Sequence, residues 1–414
     1  MRNDRVRIVV SLICRSLISA TIFMIPYIQT VYYNELVDAL NVTKSQVGVL
    51  MTVYTLVSTA IYIPGGWIVD KTNPKLAMVA SSIATGVVGL WAAFNLNYTS
   101  FIIAWILFAI TTNLLYMGGS IKAVRMLADE GNIGKTYAMS SLLALFTAAV
   151  LGFLGSWIYS QFSGTSNAFR NVLIMYACFN IATGVITQIF FRFPEKAVIL
   201  EKKERISRSL LVSTLKSPVT WVLAFIVFFC YAFMAAGTYF TPYFADVFGF
   251  DPTSSHVFGV IRNYGLAVVF VPFAGWLSDK CGTVSKVIIY IFGICGAILI
   301  GVLLGGSYFG TAAMIIVSLA IVASSRVLES MQFATPAEAG VTTAVAGVVA
   351  SASSMIGYLP DLFIHQLYGS WLDKYGNQGY TYIFISMLAF CVAGIACAAY
   401  IIRVHKRISM QKQS

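Results

Sequence analysis

Two stretches decide how this chain is read: Gly65-Gly66-Trp67-Ile68-Val69-Asp70-Lys71 and Ala274-Gly275-Trp276-Leu277-Ser278-Asp279-Lys280. Gly66 matches Gly275, Trp67 matches Trp276, Asp70 matches Asp279 and Lys71 matches Lys280. Each pair lies 209 residues apart in a chain of 414, about half its length, so the chain reads as a duplication. Each copy closes a long apolar run and opens a short charged turn. Matched halves of this kind are a pattern of membrane carriers, with a site expected at the interface of the halves near the midplane.

Composition around the repeat agrees. Apolar residues make up 58% of the chain, charged residues only 10%, and the mean hydropathy is +0.81. A soluble domain carries about a quarter charged residues. Twelve apolar stretches are each about the length that spans a bilayer as a helix: 8–32, 46–69, 76–97, 100–124, 137–160, 171–192, 219–246, 255–278, 286–306, 309–331, 343–368 and 380–402. Helices are expected because lipid offers backbone amides no water to bond. The architecture implied is an all-α membrane protein of twelve transmembrane helices in two pseudo-symmetric six-helix bundles, 1–192 and 219–414. The hydrophilic segment 193–218 is the linker between them.

The net charge of +11 does not point to nucleic acid, because the charges are sparse and lie between apolar runs. It reads as topology. With the N-terminus in the cytoplasm, 21 of the 27 Lys and Arg fall on the cytoplasmic side and only Lys44, Arg170 and Lys374 fall outside. Both termini and the linker are therefore expected inside. The run after Arg2, Arg5 and Arg7 contains Arg15 and leads to Pro26, so it reads as a retained helix and not a cleaved signal. Seven cysteines form no C-x-x-C pair, and most lie in apolar runs, so neither a disulfide framework nor a metal site is expected. No P-loop, G-x-S-x-G or H-E-x-x-H occurs, so the chain does not read as an enzyme and no cofactor is implied.

The stretch from Gly66 through Asp70 and Lys71 to Lys75 resembles the loop 2–3 signature of the major facilitator superfamily, Gly-x-x-x-Asp-Arg/Lys-x-Gly-Arg/Lys-Arg/Lys. Gly275, Asp279 and Lys280 look like its C-terminal counterpart. Ile25-Pro26, Ile356-Gly357-Tyr358-Leu359-Pro360 and Leu367-Tyr368-Gly369 are similar to the YihN-type branch of that superfamily, which supplies no ligand. The resemblance implies a monomeric secondary carrier in a bacterial inner membrane, working by alternating access. One departure is Asn73, where the signature has glycine; a left-handed Asn is expected to keep the turn. The gating motif is Gly66, Asp70, Lys71, Lys75, Gly275, Asp279 and Lys280. Its two aspartates are expected to cap helix N-termini and latch the inner gate.

Ionisable residues inside spans usually face a cavity and mark function. Arg262 in span 8 and Asp361 in span 11 lie at similar depth, so an ion pair between them is one reading. Arg262 offers a planar donor fork for a carboxylate or phosphate. Protonation of Asp361 would free it, and His365, one turn on, is placed to relay that proton. Arg15 in span 1 either contacts substrate or snorkels to the cytoplasmic interface. Lys122 reads as snorkelling, and Arg326 with Glu329 as a pair on one face of span 10. Asn113 and Tyr358 complete the candidate contacts, while Asn113, Asn180, Gln188 and Asn263 also suit interhelical bonding. The expectation is a carrier of a small organic anion coupled to protons or a counter-ion. The alternative is a carrier of a neutral sugar or drug-like compound, with Asp361 as the acid.

Overall fold

Helices occupy at least part of each of the twelve apolar stretches. The computed structural model describes residues 2–127, 133–163, 167–194, 208–305, 310–341 and 343–411, with side chains described except at 2–5, 62–71, 125, 133–135, 208–211, 343–344, 346–347 and 411. Among these residues no strand occurs.

The first half runs α1 (Arg2–Thr21), the short amphipathic α2 (Tyr33–Leu40), α3 (Lys44–Lys71), α4 (Pro74–Phe94), α5 (Tyr98–Ala109), a π-helical turn (Ile110–Tyr116), α6 (Met117–Leu127), α7 (Ile133–Gln161) and α8 (Ala168–Phe190). The second half runs α9 (Arg208–Lys216), α10 (Pro218–Gly237), α11 (Phe240–Phe248), α12 (Pro252–Val260), a second π turn (Ile261–Gly265), α13 (Leu266–Cys281), α14 (Val284–Gly305), α15 (Thr311–Met331), α16 (Thr343–Gly357), α17 (Pro360–Tyr375) and α18 (Gly379–Gln411). Nine helical stretches among the described residues are long and apolar enough to cross a bilayer.

Local chemistry sets the ends. Asn97 accepts from Ser100 N at 2.9 Å at the start of α5, and Asp251 accepts from Ser254 N at 3.0 Å at the start of α12. Pro74, Pro218, Pro252 and Pro360 each take the first helical turn, where a missing N–H costs nothing. Gly249 closes α11 at φ +66° and Asn41 closes α2 at φ +50°.

Several spans depart from the one continuous helix expected of each. The first is α-helical only to Thr21; Pro26 has no N–H to continue the ladder, and the chain passes through turns such as Ile28 N to Ile25 O. The eleventh breaks between Gly357 and Pro360 for the same reason. The fourth and eighth carry the π turns, which no proline announces.

The predicted left-handed Asn73 is also corrected. It is extended, φ −64° and ψ 121°, and caps α4 through its side chain, accepting from Lys75 N at 2.9 Å. Its counterpart Gly282 does take φ +76°. An Asn side chain can satisfy the helix start itself, so the first copy has no need of the strained backbone.

Two compact units divide the chain: Met1–Lys202 with Phe250–Gly265, and Lys203–Gly249 with Leu266–Ser414. The eighth span therefore passes from one unit to the other at the end of its π turn. In the first unit α4 and α8 pack closely; a Cβ at Gly86 would sit 2.6 Å from the Ala177 carbonyl. Small residues of this kind supply association where lipid gives no hydrophobic drive.

Candidate functional site

In the first unit, α1 carries Arg15 inward. Its Nε donates to Ser120 Oγ on α6 at 2.9 Å and its Nη1 to Ser140 Oγ on α7 at 2.8 Å. The guanidinium also lies over the Tyr137 ring, 5.0 Å from its centroid. Arg15 is 3% exposed, so it does not snorkel to an interface. Among the described residues no carboxylate reaches it. Among the described residues, three helices thus hold a positive charge by hydroxyls and an aromatic face, with no carboxylate beside it.

Asn113 sits in the first π turn, where the helix widens by a residue. Its Nδ2 lies 2.9 Å from Tyr54 Oη and 2.8 Å from Ser58 Oγ, both on α3, and Tyr54 Oη lies 2.7 Å from Thr112 Oγ1. Tyr27 meets Tyr54 edge-on at 5.7 Å. These are neutral hydrogen-bonding groups, suited to a hydroxyl or amide. π turns concentrate at functional positions, and the second one contains Arg262 and Asn263. Arg262 is fully buried, 6.0 Å from the Phe258 ring centroid. Asn263 donates to Thr30 O at 3.1 Å and Gly259 O at 2.9 Å. Asn180 bonds Thr21 O and Tyr176 O, each at 3.1 Å. These last two amides tie helices to one another.

In the second unit the break at Gly357–Pro360 puts Asp361 in the first turn of α17, where a helix N-terminus favours a carboxylate. Tyr231 on α10 donates to Asp361 Oδ2 at 2.6 Å, and His365 Nε2 lies 3.1 Å from Asp361 Oδ1. Tyr239 donates to the His365 carbonyl at 3.0 Å and stacks on its ring at 5.9 Å. Tyr358 packs edge-on against Tyr231 at 4.7 Å. Asp361, His365 and Tyr231 thus form one buried network, with the half-buried Tyr358 packed against it. Within its own unit Asp361 takes Tyr231 and His365 as partners.

Of the gating motif, Gly66, Asp70 and Lys71 lie in α3 with side chains outside the described residues. Lys122, expected to snorkel, donates to Thr72 O at 3.4 Å and so braces the turn after that motif, next to Lys75. In the second copy Asp279 is exposed beside Gly275, and the Lys280 ammonium lies over the Trp276 ring at 5.1 Å. The acid that caps a helix in this unit is Glu338. Its carboxylate accepts from Val284 N, from Ser285 N at 3.1 Å and from Ser285 Oγ at 2.6 Å, at the start of α14. Arg326 and Glu329 pair at 2.7 Å as their spacing predicts.

The family model described as Major Facilitator Superfamily matches residues 9–358. The chain belongs to this superfamily. As a major facilitator protein it is a polytopic membrane transporter of small solutes and not an enzyme. It is 27% identical over 410 residues to the inner membrane protein YihN of Escherichia coli strain K12, covering 96% of this chain and 95% of the relative. It is 24% identical over 383 residues to the inner membrane protein YqcE of the same strain, covering 90% and 89%. Its fold is similar to that of a bacterial homologue of the human lysosomal transporter Spinster, solved inward-facing and unoccupied. There the TM-score is 0.74 at 15% identity, covering 97% of both chains.

Several residues of this major facilitator protein escaped the sequence reading: Ser120 and Ser140 around Arg15, Tyr54 and Ser58 around Asn113, and Glu338. Gln29 is another. Its amide is buried with neither polar atom bonded among the described residues, an arrangement that costs about 1–3 kcal/mol unless a partner arrives. Only Gln29 had a usable signal, a lone amide in an apolar run.

Proposed function

We propose that this transporter moves a small organic anion across the inner membrane by alternating access, coupled to protons, with both termini in the cytoplasm. One observation carries the reading. Arg15 is a buried guanidinium whose partners among the described residues are two serine hydroxyls and a tyrosine ring. A permanent charge held that way gains most from an anion that brings the missing negative charge. Arg262, Asn113 and Tyr358 are the further substrate contacts, and Arg262 supplies a second buried guanidinium. Asp361, bonded by Tyr231 and His365, is the proton-coupling group, and His365 the relay. Asp70 and Asp279 latch the inner gate against helix N-termini. The chain works as a monomer.

A thermal-shift series on purified protein tests this against carboxylates, sugar acids, sugar phosphates and neutral sugars. Anions should raise the melting temperature of the wild type and not of Arg15→Gln or Arg262→Gln. Stabilisation by neutral sugars alone overturns the anion. That outcome favours the second reading, a neutral sugar or drug-like compound, for which the uncharged Asn113–Tyr54–Ser58 cluster is the supporting observation.

A further inference from the structure

Outside the residues assigned above, one more histidine is buried within the first unit. His256 on α12 is fully buried, and its Nε2 lies 2.9 Å from Glu35 Oε1 on α2, itself only 10% exposed. The imidazole is boxed by aromatic rings. Tyr32 lies 4.2 Å away centroid to centroid, tilted 47°, and Tyr159 on α7 meets it edge-on at 4.5 Å. Both ring nitrogens of His256 are buried without a well-aligned hydrogen bond among the described residues, so the 2.9 Å approach to Glu35 is an ion-pair distance that gains its full strength only with charge on the imidazole.

The surface beneath α12 is shaped to receive it. A Cβ at Gly152 on α7 would sit 2.8 Å from Val260, and one at Gly155 would sit 2.7 Å from the Tyr32 hydroxyl and 2.6 Å from that of Tyr176. Only glycine at these places lets α12 and Tyr32 approach α7 so closely. Beyond Val260 comes the π turn Ile261–Gly265, and the first unit ends at its last residue. The docked segment is therefore a short helix fastened to one unit and continuous, through an irregular turn, with a helix of the other.

We propose that His256 and Glu35 form a proton-binding latch, separate from Asp361 and His365, whose protonated state fastens α12 to α2 and α7. With one proton on the imidazole the pair is an ion pair, and aromatic rings against the imidazolium add to its hold. Loss of that proton leaves a largely buried carboxylate without its counter-charge, the costly way to break such a pair. The latch is closed while the imidazole holds its second proton and loosened without it. The other ionisable groups around it are Asp38 on α2, Tyr159 on α7, Tyr176 on α8, Arg262 and Tyr264 in the π turn, and Asp251 at the cap of α12. The Glu35 carboxylate is in direct contact with His256 at 2.9 Å.

Hydrogen–deuterium exchange of the full-length purified protein reads the latch directly. Uptake across 252–260, corrected for intrinsic exchange, should rise about tenfold between about pH 6 and about pH 8, the worth of one charge-assisted contact. His256→Gln and Glu35→Gln should abolish that pH dependence and exchange at the faster rate throughout. Equal uptake at both pH values in the wild type, or a pH dependence that survives His256→Gln, overturns the proposal. The wild-type comparison decides by itself if either variant fails to fold.

Discussion

Arg15 meets Ser140 at 2.8 Å across 125 residues of sequence, and Ser16 next to it lies 2.8 Å from the same hydroxyl. A serine shared between a cation and its neighbour holds the guanidinium in place without neutralising it. Stability and function should then pull in opposite directions at this position.

Arg15→Met tests that. Replacing a buried charge that no described carboxylate meets by an apolar side chain of similar length should stabilise the ligand-free protein by about 1–3 kcal/mol, while abolishing stabilisation by anions. Unfolding of both proteins in detergent, with and without a carboxylate, measures the two effects. A variant less stable than the wild type would mean that Arg15 serves packing.

Asp361→Asn keeps the size of the side chain and its contacts with Tyr231 and His365, and removes the titratable proton. Counterflow exchange in proteoliposomes should persist within a few fold, because the amide keeps Tyr231 and, through it, Tyr358 in place, while accumulation driven by a pH gradient is lost. Retained gradient-driven accumulation would remove Asp361 from proton coupling.

Gly357→Ala drives a Cβ into Val227 Cγ1, a β-branched side chain that is stiff about χ1. Overpacking should cost about 1–3 kcal/mol. Val227→Ala in the same chain should restore most of it, which a double-mutant cycle in thermal unfolding would read.

Glu338→Ala leaves the N-terminal amides of α14 without their carboxylate and should destabilise the second unit by about 1–2 kcal/mol. Glu338→Gln should fall between, because an amide oxygen accepts without charge. Unchanged melting of Glu338→Ala would show that solvent caps α14 as well.

Asp251 gives the pH dependence whose sign is settled. It lies at the cap of α12, and hydrogen bonds from the Ser254 hydroxyl and amide hold its carboxyl below the ordinary value of 3.8. A depressed folded value means the contribution is present above the unfolded value and lost as pH falls through the folded one. Asp251→Ala should therefore cost about 1 kcal/mol at neutral pH and little in strong acid, while Asp251→Asn keeps the cap. Hydrogen exchange of 252–256 across an acid titration would show the difference.

The duplication at 65–71 and 274–280, the twelve apolar runs and the charges stranded inside them were all legible in the chain itself. So was the pairing of Asp361 with His365, and of Arg326 with Glu329, because residues one helical turn apart share a face. Helix in lipid is a local necessity: each backbone amide must find its carbonyl within the segment, so length and hydropathy suffice to place it. Pro26 and Pro360 carry the local reason for two of the breaks, yet both spans were read as continuous helices because proline is common inside membrane helices.

Only the folded chain decided the rest. It put Ser120 and Ser140 around Arg15, Tyr54 and Ser58 around Asn113, and Glu35 beside His256 across 221 residues. Nothing in a lone serine, tyrosine or glutamate says which distant side chain it will face. Those meetings depend on how closely helices approach, which glycines such as Gly152 and Gly155 set, and on where a π turn rotates one stretch of helix against the next. Partner choice is a property of packing between segments far apart in sequence, and no period along the chain encodes it.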